Sequence, residues 1–258
     1  AHGRTGTAGL RQCQPGNAVC LLENGEQYFP ALEAAIDRAE REIFLQVYIF
    51  EDDETGRRIA AALERAAARG VTVKVMVDGF GSRRFLMRLL PRLHEQGVQV
   101  LIYRREVRKL SLHRHRLRRL HRKVVVIDGR EAFVGGINII DDFTAGGPPH
   151  PRYDFAVHVR GPVLAPIVSS MNRLWRLVAW ASFRRRQQLP LLAPAQAEPV
   201  GEICAAYVVR DNLRFRHAIE DAYLAAIDGA QREIVIASAY FFPGRRFRKH
   251  RRQMRMEI

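Results

Sequence analysis

The stretch HRKVVVIDGREAFVGGIN, residues 121–138, joins two strand-like segments through a short turn and carries several polar side chains. Alternate side chains of a strand point to the same face, so His121 and Lys123 are expected to project side by side. Asp128 and Gly129 form the Asp-Gly pair that is typical of a tight hairpin turn. An imidazole and an ammonium group that point to one place indicate a phosphate-binding site.

Helical and strand-like segments alternate around this stretch. Apolar residues recur with helical spacing at 30–42, and the apolar run IFLQVYIF at 43–50 indicates a buried strand. The pattern continues with a helix at 55–69, a strand at 71–78, a helix interrupted by Pro91, a strand at 98–103, a strand at 152–161 and a helix at 162–180. This alternation predicts an α/β fold, an α/β/α sandwich with a mixed sheet.

Part of the first helix and strand is repeated later in the chain. Residues 34–43 (AAIDRAEREI) and 225–234 (AAIDGAQREI) are identical at eight of ten positions, with an offset of 225 − 34 = 191. An internal duplication explains this similarity. A second copy of His121 would then fall at 121 + 191 = 312, beyond residue 258. We therefore expect the second unit to be cut off before its own motif.

These patterns divide the chain into five parts, with a proline-containing linker in the middle. They are an N-terminal tail at 1–20, a first domain at 21–183, a linker at 184–201, the start of a second domain at 202–244 and a basic tail at 245–258.

The composition favours a polyanionic partner. The net charge is +15, and residues 104–123 contain ten Lys or Arg. Such a charge points to nucleic acid, an anionic membrane surface or a phosphorylated substrate. No apolar run approaches the length of about 20 residues that a membrane-spanning helix needs, and the start AHGRTGTAGL lacks the apolar core of a signal peptide. The three cysteines show no metal-ligand spacing, and we expect them to be reduced.

The pattern H-x-K-x4-D-x6-G-G-x-N within residues 121–138 resembles the HKD motif of the phospholipase D superfamily. The segments LLENGEQYFPAL, VMVDGFGS and DFAVHVRGPVL are similar to those of bacterial cardiolipin synthases. The resemblance covers residues 20–180 and the start of a second half up to Gly244. It implies a phospholipase D-like sandwich, with one complete motif-bearing domain and the start of a second.

Phosphoryl chemistry gives several motif residues a role. Neutral imidazole is a good nucleophile toward phosphorus, which makes His121 the catalytic candidate. Lys123 would neutralise the phosphoryl oxygens, and the amide of Asn138 would donate to them. Gly135 and Gly136 would allow close backbone approach to the phosphate.

Two acidic residues have less defined roles. Asp128 is a motif residue by resemblance, yet seven positions from His121 put it on the opposite face of a regular strand. Turn formation and a functional role are both open for it. In the family an acidic residue downstream of the Asn orients the imidazole, and Asp154 lies at a similar position.

The resemblance also implies a mechanism. Phospholipase D-like enzymes use two facing motifs: one His forms a phosphohistidine, and the other protonates the leaving alcohol and deprotonates the incoming one. Neither a metal nor another cofactor is expected. In a cardiolipin synthase the acceptor is the headgroup of phosphatidylglycerol, which makes this anionic phospholipid the expected substrate and the cytoplasmic face of the cell membrane the expected location.

This sequence has one motif, which leaves two outcomes. Either two copies pair their motifs in a homodimer, or the chain is a truncated synthase with little or no turnover. Two other functions stay open: a phospholipase D-type phosphodiesterase or nuclease, and a non-catalytic fragment that binds anionic lipid. Nucleic acid is the less expected partner, because the basic run at 104–123 has only Tyr103 as an aromatic neighbour.

Overall fold

The structure, a computed structural model, describes residues 13–104, 119–142, 153–182, 191–209 and 217–236. The strands are β1 (Gln14–Glu23), β2 (Glu42–Val47), β3 (Thr72–Asp78), β4 (Gln99–Tyr103), β5 (Val124–Ile127), β6 (Glu131–Gly135), β7 (Phe155–Arg160) and β8 (Ile203–Ala205). The helices are α1 (Asn24–Arg38), α2 (Glu54–Ala68), α3 (Arg83–Arg88), α4 (Leu90–Glu95), α5 (Leu164–Ala181) and α6 (Ala218–Gly229).

The chain forms two compact units. The larger one comprises Pro15–Ile203, and the smaller one comprises Ala1–Gln14 together with Cys204–Ile258. All the residues of the motif lie in the larger unit.

The sheet of the larger unit is mixed, as the sequence predicts. Seven of its strands follow the order β4-β3-β2-β5-β6-β7-β1. Strand β3 is parallel to both β2 and β4, whereas β2–β5, β5–β6, β6–β7 and β7–β1 are antiparallel. Because β5 runs against β2 with Gln46 opposite Val124, the start of β5 lies beside the end of β2. That end of the strands carries His121 and Lys123 of the motif.

Helices cover both faces of the sheet, which confirms the predicted sandwich. On one face, side chains of α1, α2 and α4 pack with alternate residues of β2 and β3 in a common apolar core. On the other face, Phe44 of β2 lies edge-to-face against Trp175 of α5, with ring centroids 4.9 Å apart. Gln46 donates to the Met171 carbonyl of the same helix. The sheet is therefore a rigid support between two helical layers.

Several boundaries differ from the sequence expectations. The predicted tail at 1–20 contains β1 from Gln14 onward, since this strand pairs with β7 despite its early Pro and Gly. The helix predicted around Pro91 is two short helices, with Leu89 between them. Strand β5 begins at Val124, so His121 and Lys123 precede the strand instead of lying within it.

The smaller unit contains the repeated helix. Helix α6 ends at Gly229, which is 191 positions after Arg38, the last residue of α1, and this offset equals that of the sequence repeat. Cys13 and Cys204 form a disulfide bond, and Cys20 is free and exposed. The expectation of three reduced cysteines is therefore wrong. The basic tail at 245–258 lies outside the described residues.

Candidate active site

Strand ends bring His121, Lys123 and Asn138, but not Asp128, to one end of the sheet. Tyr48 follows β2, Asp78 ends β3, and Lys123 directly precedes β5. The Lys123 carbonyl accepts a hydrogen bond from Gly135 N at 3.2 Å, which extends the β5–β6 pairing by one residue.

His121 and Lys123 face the same aromatic ring. The imidazole of His121 stacks on Tyr48, with a centroid distance of 4.6 Å and an interplanar angle of 17°. The Lys123 ammonium lies 5.5 Å from the centroid of that ring. Between them, Arg122 donates to the hydroxyl of Ser170 on α5, on the other side of the sheet. The expectation that His121 and Lys123 project to one side is confirmed, although both precede the regular strand.

The Asp78 carboxylate fixes the backbone that leads into His121. This side chain is fully buried and accepts hydrogen bonds from Leu120 N at 3.0 Å, Phe80 N at 2.9 Å and Gly81 N at 3.2 Å. Arg119 lies 3.9 Å away as an ion-pair partner. One buried carboxylate therefore ties the segment before His121 to the turn that follows β3.

That turn also packs against Tyr48. The Ser82 hydroxyl donates to the Tyr48 carbonyl at 3.1 Å and accepts from Phe50 N at 3.0 Å. A Cβ atom on Gly81 would lie 2.4 Å from the same carbonyl oxygen and 3.1 Å from the Tyr48 ring. Glycine is required at position 81 because the turn contacts β2 so closely.

Asn138 is held at the same end of the sheet by a single hydrogen bond. Its side-chain oxygen accepts from Ile49 N at 3.0 Å. Because a backbone N–H can only donate, this bond fixes the amide with its NH₂ group as the end that can donate to an anion. Asn138 is thus anchored one residue away from the ring that contacts His121 and Lys123.

Strand β7 occupies the space beside the two motif glycines. A Cβ on Gly135 would lie 2.5 Å from the Phe155 carbonyl oxygen, and one on Gly136 would overlap the Asp154 carboxylate. The contacts that the structure shows for these glycines are therefore with protein atoms, and a phosphate contact stays a prediction.

The Asp154 carboxylate acts electrostatically on Lys123. Burial lowers the pKa of Lys123, and the negative charge of Asp154 opposes part of that shift. Its predicted role in orienting His121 stays a prediction as well.

Asp128 lies at the opposite end of β5. It adopts a left-handed conformation (φ 52°) in the β5–β6 turn and is 6% exposed. Its carboxylate accepts from Glu40 N at 2.9 Å and from Arg41 N and Glu42 N at 2.8 Å each. These contacts join the hairpin turn to the connection between α1 and β2. They match the turn-forming role, one of the two left open by the sequence.

Replacing Asp128 with alanine should lower the free energy of unfolding by about 2–3 kcal/mol, because three backbone donors lose their acceptor and alanine disfavours positive φ. Asp128→Asn should cost less, since asparagine tolerates this conformation and keeps one acceptor oxygen. Urea unfolding monitored by circular dichroism measures both changes. An unfolding midpoint of Asp128→Ala equal to that of the unchanged chain would contradict the structural role.

The site environment favours a neutral imidazole. Burial and the nearby Lys123 ammonium lower the pKa of His121 below its ordinary value of 6.5, and the Asp78 carboxylate opposes this shift. Burial also lowers the pKa of Lys123 from 10.5. A neutral ring nitrogen next to a cation can attack an electrophile whose negative charge that cation stabilises.

The pH profile should show this lowered pKa. If His121 is the nucleophile, activity is lost as pH falls through the folded-state pKa, because protonation removes the attacking lone pair. The acidic limb of kcat/KM should therefore lie below pH 6.5. If His121 instead supplies a proton, the profile would fall in the opposite direction, as pH rises through that pKa. Measuring initial rates from pH 4.5 to 8 distinguishes the two roles.

No group of three or more His, Cys, Asp or Glu side chains in the described part of the chain could hold a metal ion. Two residues of the candidate site, Tyr48 and Asp78, were given no role by the sequence analysis. A signal for both exists, since each comes at the carboxyl end of a parallel strand, where ligand sites of open α/β sheets lie.

Comparison with known proteins gives a consistent picture. The family model described as "Cardiolipin synthase, PLD-like domain" matches residues 32–146. Cardiolipin synthase B of Salmonella typhi is 41% identical over 231 residues, which cover 90% of this chain and 55% of that protein. Cardiolipin synthase B of Escherichia coli (strain K12) is 39% identical over 232 residues, with the same shares covered. The chain spans about half the length of the curated relatives it matches.

Among solved structures, Nuc of Salmonella typhimurium, a phospholipase D family member, covers 62% of this chain and 95% of its own. The sequence identity is 20% and the TM-score is 0.47.

Proposed function

We propose that this chain is a phospholipase D superfamily protein of the cardiolipin synthase type and that it acts in phosphatidyl transfer between phosphatidylglycerol molecules, as the matched domain model and the similarity to cardiolipin synthase B support. The observation that carries the proposal is the placement of His121 and Lys123 against one Tyr48 ring, with Asn138 bonded to the next residue of the chain. This arrangement puts an imidazole, an ammonium group and an amide at one end of the sheet, which supports the roles of nucleophile, cation and hydrogen-bond donor proposed for them.

In the proposed first step, a neutral ring nitrogen of His121 attacks the phosphorus of phosphatidylglycerol. The new N–P bond forms as the bond from phosphorus to the oxygen of the headgroup glycerol breaks. That oxygen takes a proton from a general acid, and free glycerol leaves. Lys123 and the Asn138 amide stabilise the negative charge on the phosphoryl oxygens. In the second step, a headgroup hydroxyl of another phosphatidylglycerol loses its proton to the conjugate base of that acid. Its oxygen then attacks phosphorus, the N–P bond breaks, and His121 is released.

The proton transfers require a second acid–base group, which the family supplies from a second motif. We propose that this group comes from a second copy of the chain or from a longer protein that includes it. If two copies are needed, specific activity should rise with chain concentration in step with dimer formation. Sedimentation velocity at the concentrations of the assay measures the dimer fraction and shows whether it rises over the same range as the specific activity.

A peripheral membrane location is part of the proposal. Two apolar side chains on the outer surface of α5, Leu177 and Trp180, are each 59% exposed, and the chain carries a net charge of +15. Basic side chains and interfacial aromatic residues both favour anionic bilayers. Across the described segments, no helix is long and apolar enough to span a membrane. The basic residues at 105–118 lie outside the described residues.

Incubation of the purified chain with vesicles containing headgroup-labelled and acyl-labelled phosphatidylglycerol tests the function. Cardiolipin together with free glycerol supports the transferase. Phosphatidic acid instead indicates hydrolysis, and cleavage of an added single-stranded oligonucleotide indicates a nuclease. Vesicle binding without any product indicates the non-catalytic, lipid-binding alternative.

A further inference from the structure

An exposed phenylalanine beside the candidate active site lies close to two guanidinium groups. The Phe80 side chain, in the turn after β3, is 46% exposed. The guanidinium carbons of Arg83 and Arg119 lie 4.7 Å and 4.4 Å from the centroid of its ring. Contact with one shared ring holds the two guanidinium carbons within about 9 Å of each other, the sum of these two distances. Such a pair is best stabilised by an anion between or in front of the two groups.

Arg119 is incompletely satisfied. Its side chain is 15% exposed, and its Nη1 atom is buried without a hydrogen-bond partner among the described residues. The neighbouring Asp78 carboxylate lies 3.9 Å away, and its oxygens already accept three backbone hydrogen bonds. Because this Nη1 atom is buried next to Asp78, a ligand would meet the Arg119 side chain at its exposed part, and an added anion would offset the incomplete pairing of the guanidinium charge.

Arg83 is also available. The described part of the chain contains no carboxylate within ion-pair distance of Arg83, whereas the next residue, Arg84, lies 3.8 Å from Glu51. Guanidinium groups bind phosphate oxygens through two parallel hydrogen bonds, which suits them to phosphodiesters.

This arginine pair is adjacent to His121. Arg119 precedes His121 by two residues and contributes to its lowered pKa. Gly81, next to Phe80, packs against the ring on which His121 stacks. An anion held by the pair would therefore lie beside the reacting phosphate.

We propose that Arg83 and Arg119, kept in place by Phe80, bind a second phosphodiester next to the one that reacts at His121. This inference rests on the proposed function, because joining two phosphatidylglycerol molecules brings two phosphodiesters together across one glycerol. The arginine pair selects an acceptor that carries its own phosphodiester over water or a simple alcohol.

Binding of lipid-free headgroups tests this subsite without requiring turnover. The probes are glycerophosphoglycerol, with one phosphodiester, and the deacylated headgroup of cardiolipin, with two. Isothermal titration of the unchanged chain should show at least tenfold tighter binding of the second probe. Without a second subsite, its two equivalent phosphates would give only a statistical preference of about twofold. Arg83→Gln should reduce this preference to about twofold and leave the affinity for the first probe nearly unchanged.

Controls separate a defined subsite from general attraction of anions. Arg130→Gln removes the same charge at the opposite end of β5, where Arg130 pairs with Glu40, and should keep the full preference. Phe80→Leu keeps both arginines but removes their shared ring, and this variant should lose part of the preference for the probe with two phosphodiesters. An unchanged preference in Arg83→Gln, or none beyond twofold in the original chain, would overturn the subsite. Failure of the transferase assay with the preference intact would instead count against the proposed function.

Discussion

Replacing His121 with alanine should reduce phosphatidyl transfer by about 10⁴-fold or more. The substitution removes the nitrogen that we propose attacks phosphorus, and losses of this size are typical when a nucleophile is deleted. The measurement is the initial rate of cardiolipin formation from labelled phosphatidylglycerol. The unchanged chain should also retain phosphorus label through an N–P bond after an alkaline quench, whereas the variant should not.

The control for this substitution is His94→Ala. His94 is an exposed histidine of α4, outside the site, and its removal should leave the rate within about twofold. Added imidazole should restore part of the activity of His121→Ala, since a free ring can occupy the space next to Tyr48. Label retained by His121→Ala at the level of the unchanged chain would show that another residue is the nucleophile.

Replacing Lys123 with methionine should lower the rate by about 10²–10³-fold, the usual cost of losing one group that stabilises charge in the transition state. Methionine keeps an unbranched apolar side chain but not the ammonium group. A second effect should accompany the first. Because the Lys123 charge contributes to the lowered pKa of His121, the acidic limb of the pH profile should move to higher pH.

Arg122→Met is the matched control for this prediction. Arg122 is the neighbouring cation, but it contacts Ser170 on the other side of the sheet. Its loss removes the same formal charge and should change the rate much less. Equal losses in both variants would mean that Lys123 acts only through the overall positive charge and does not contact the phosphoryl oxygens.

The sequence predicted the parts of the site that depend on local periodicity. Two-residue spacing placed His121 and Lys123 on one side, and the intervening Arg122 does contact the opposite side. The Asp-Gly pair predicted the turn that contains Asp128. Alternating helices and strands predicted the mixed sheet, because each segment has to bury its own apolar side.

The contacts missed by sequence reasoning depend on strand order, which periodicity does not encode. Tyr48 lies within an apolar run and looks like an ordinary core residue. Its role becomes visible once β5 is known to pair with β2. Asp78 likewise contacts Leu120, 42 positions later, because the segment before β5 crosses the end of β3. The glycines were assigned to phosphate approach, whereas the approach of β7 could not be anticipated from residues 135 and 136 alone.

The network of Asp78, Ser82 and Tyr48 has a consequence for the order of events in the reaction. Its hydrogen bonds join three separate strand ends, so the backbone that leads into His121 and the Tyr48 ring on which the imidazole stacks are positioned during folding and not on encounter with a substrate. Preorganisation of this kind avoids a reorganisation cost at the chemical step. It also means that a weakly bound, poorly fitting lipid meets the same geometry as a good one, and discrimination between them has to come from groups at the rim of the site.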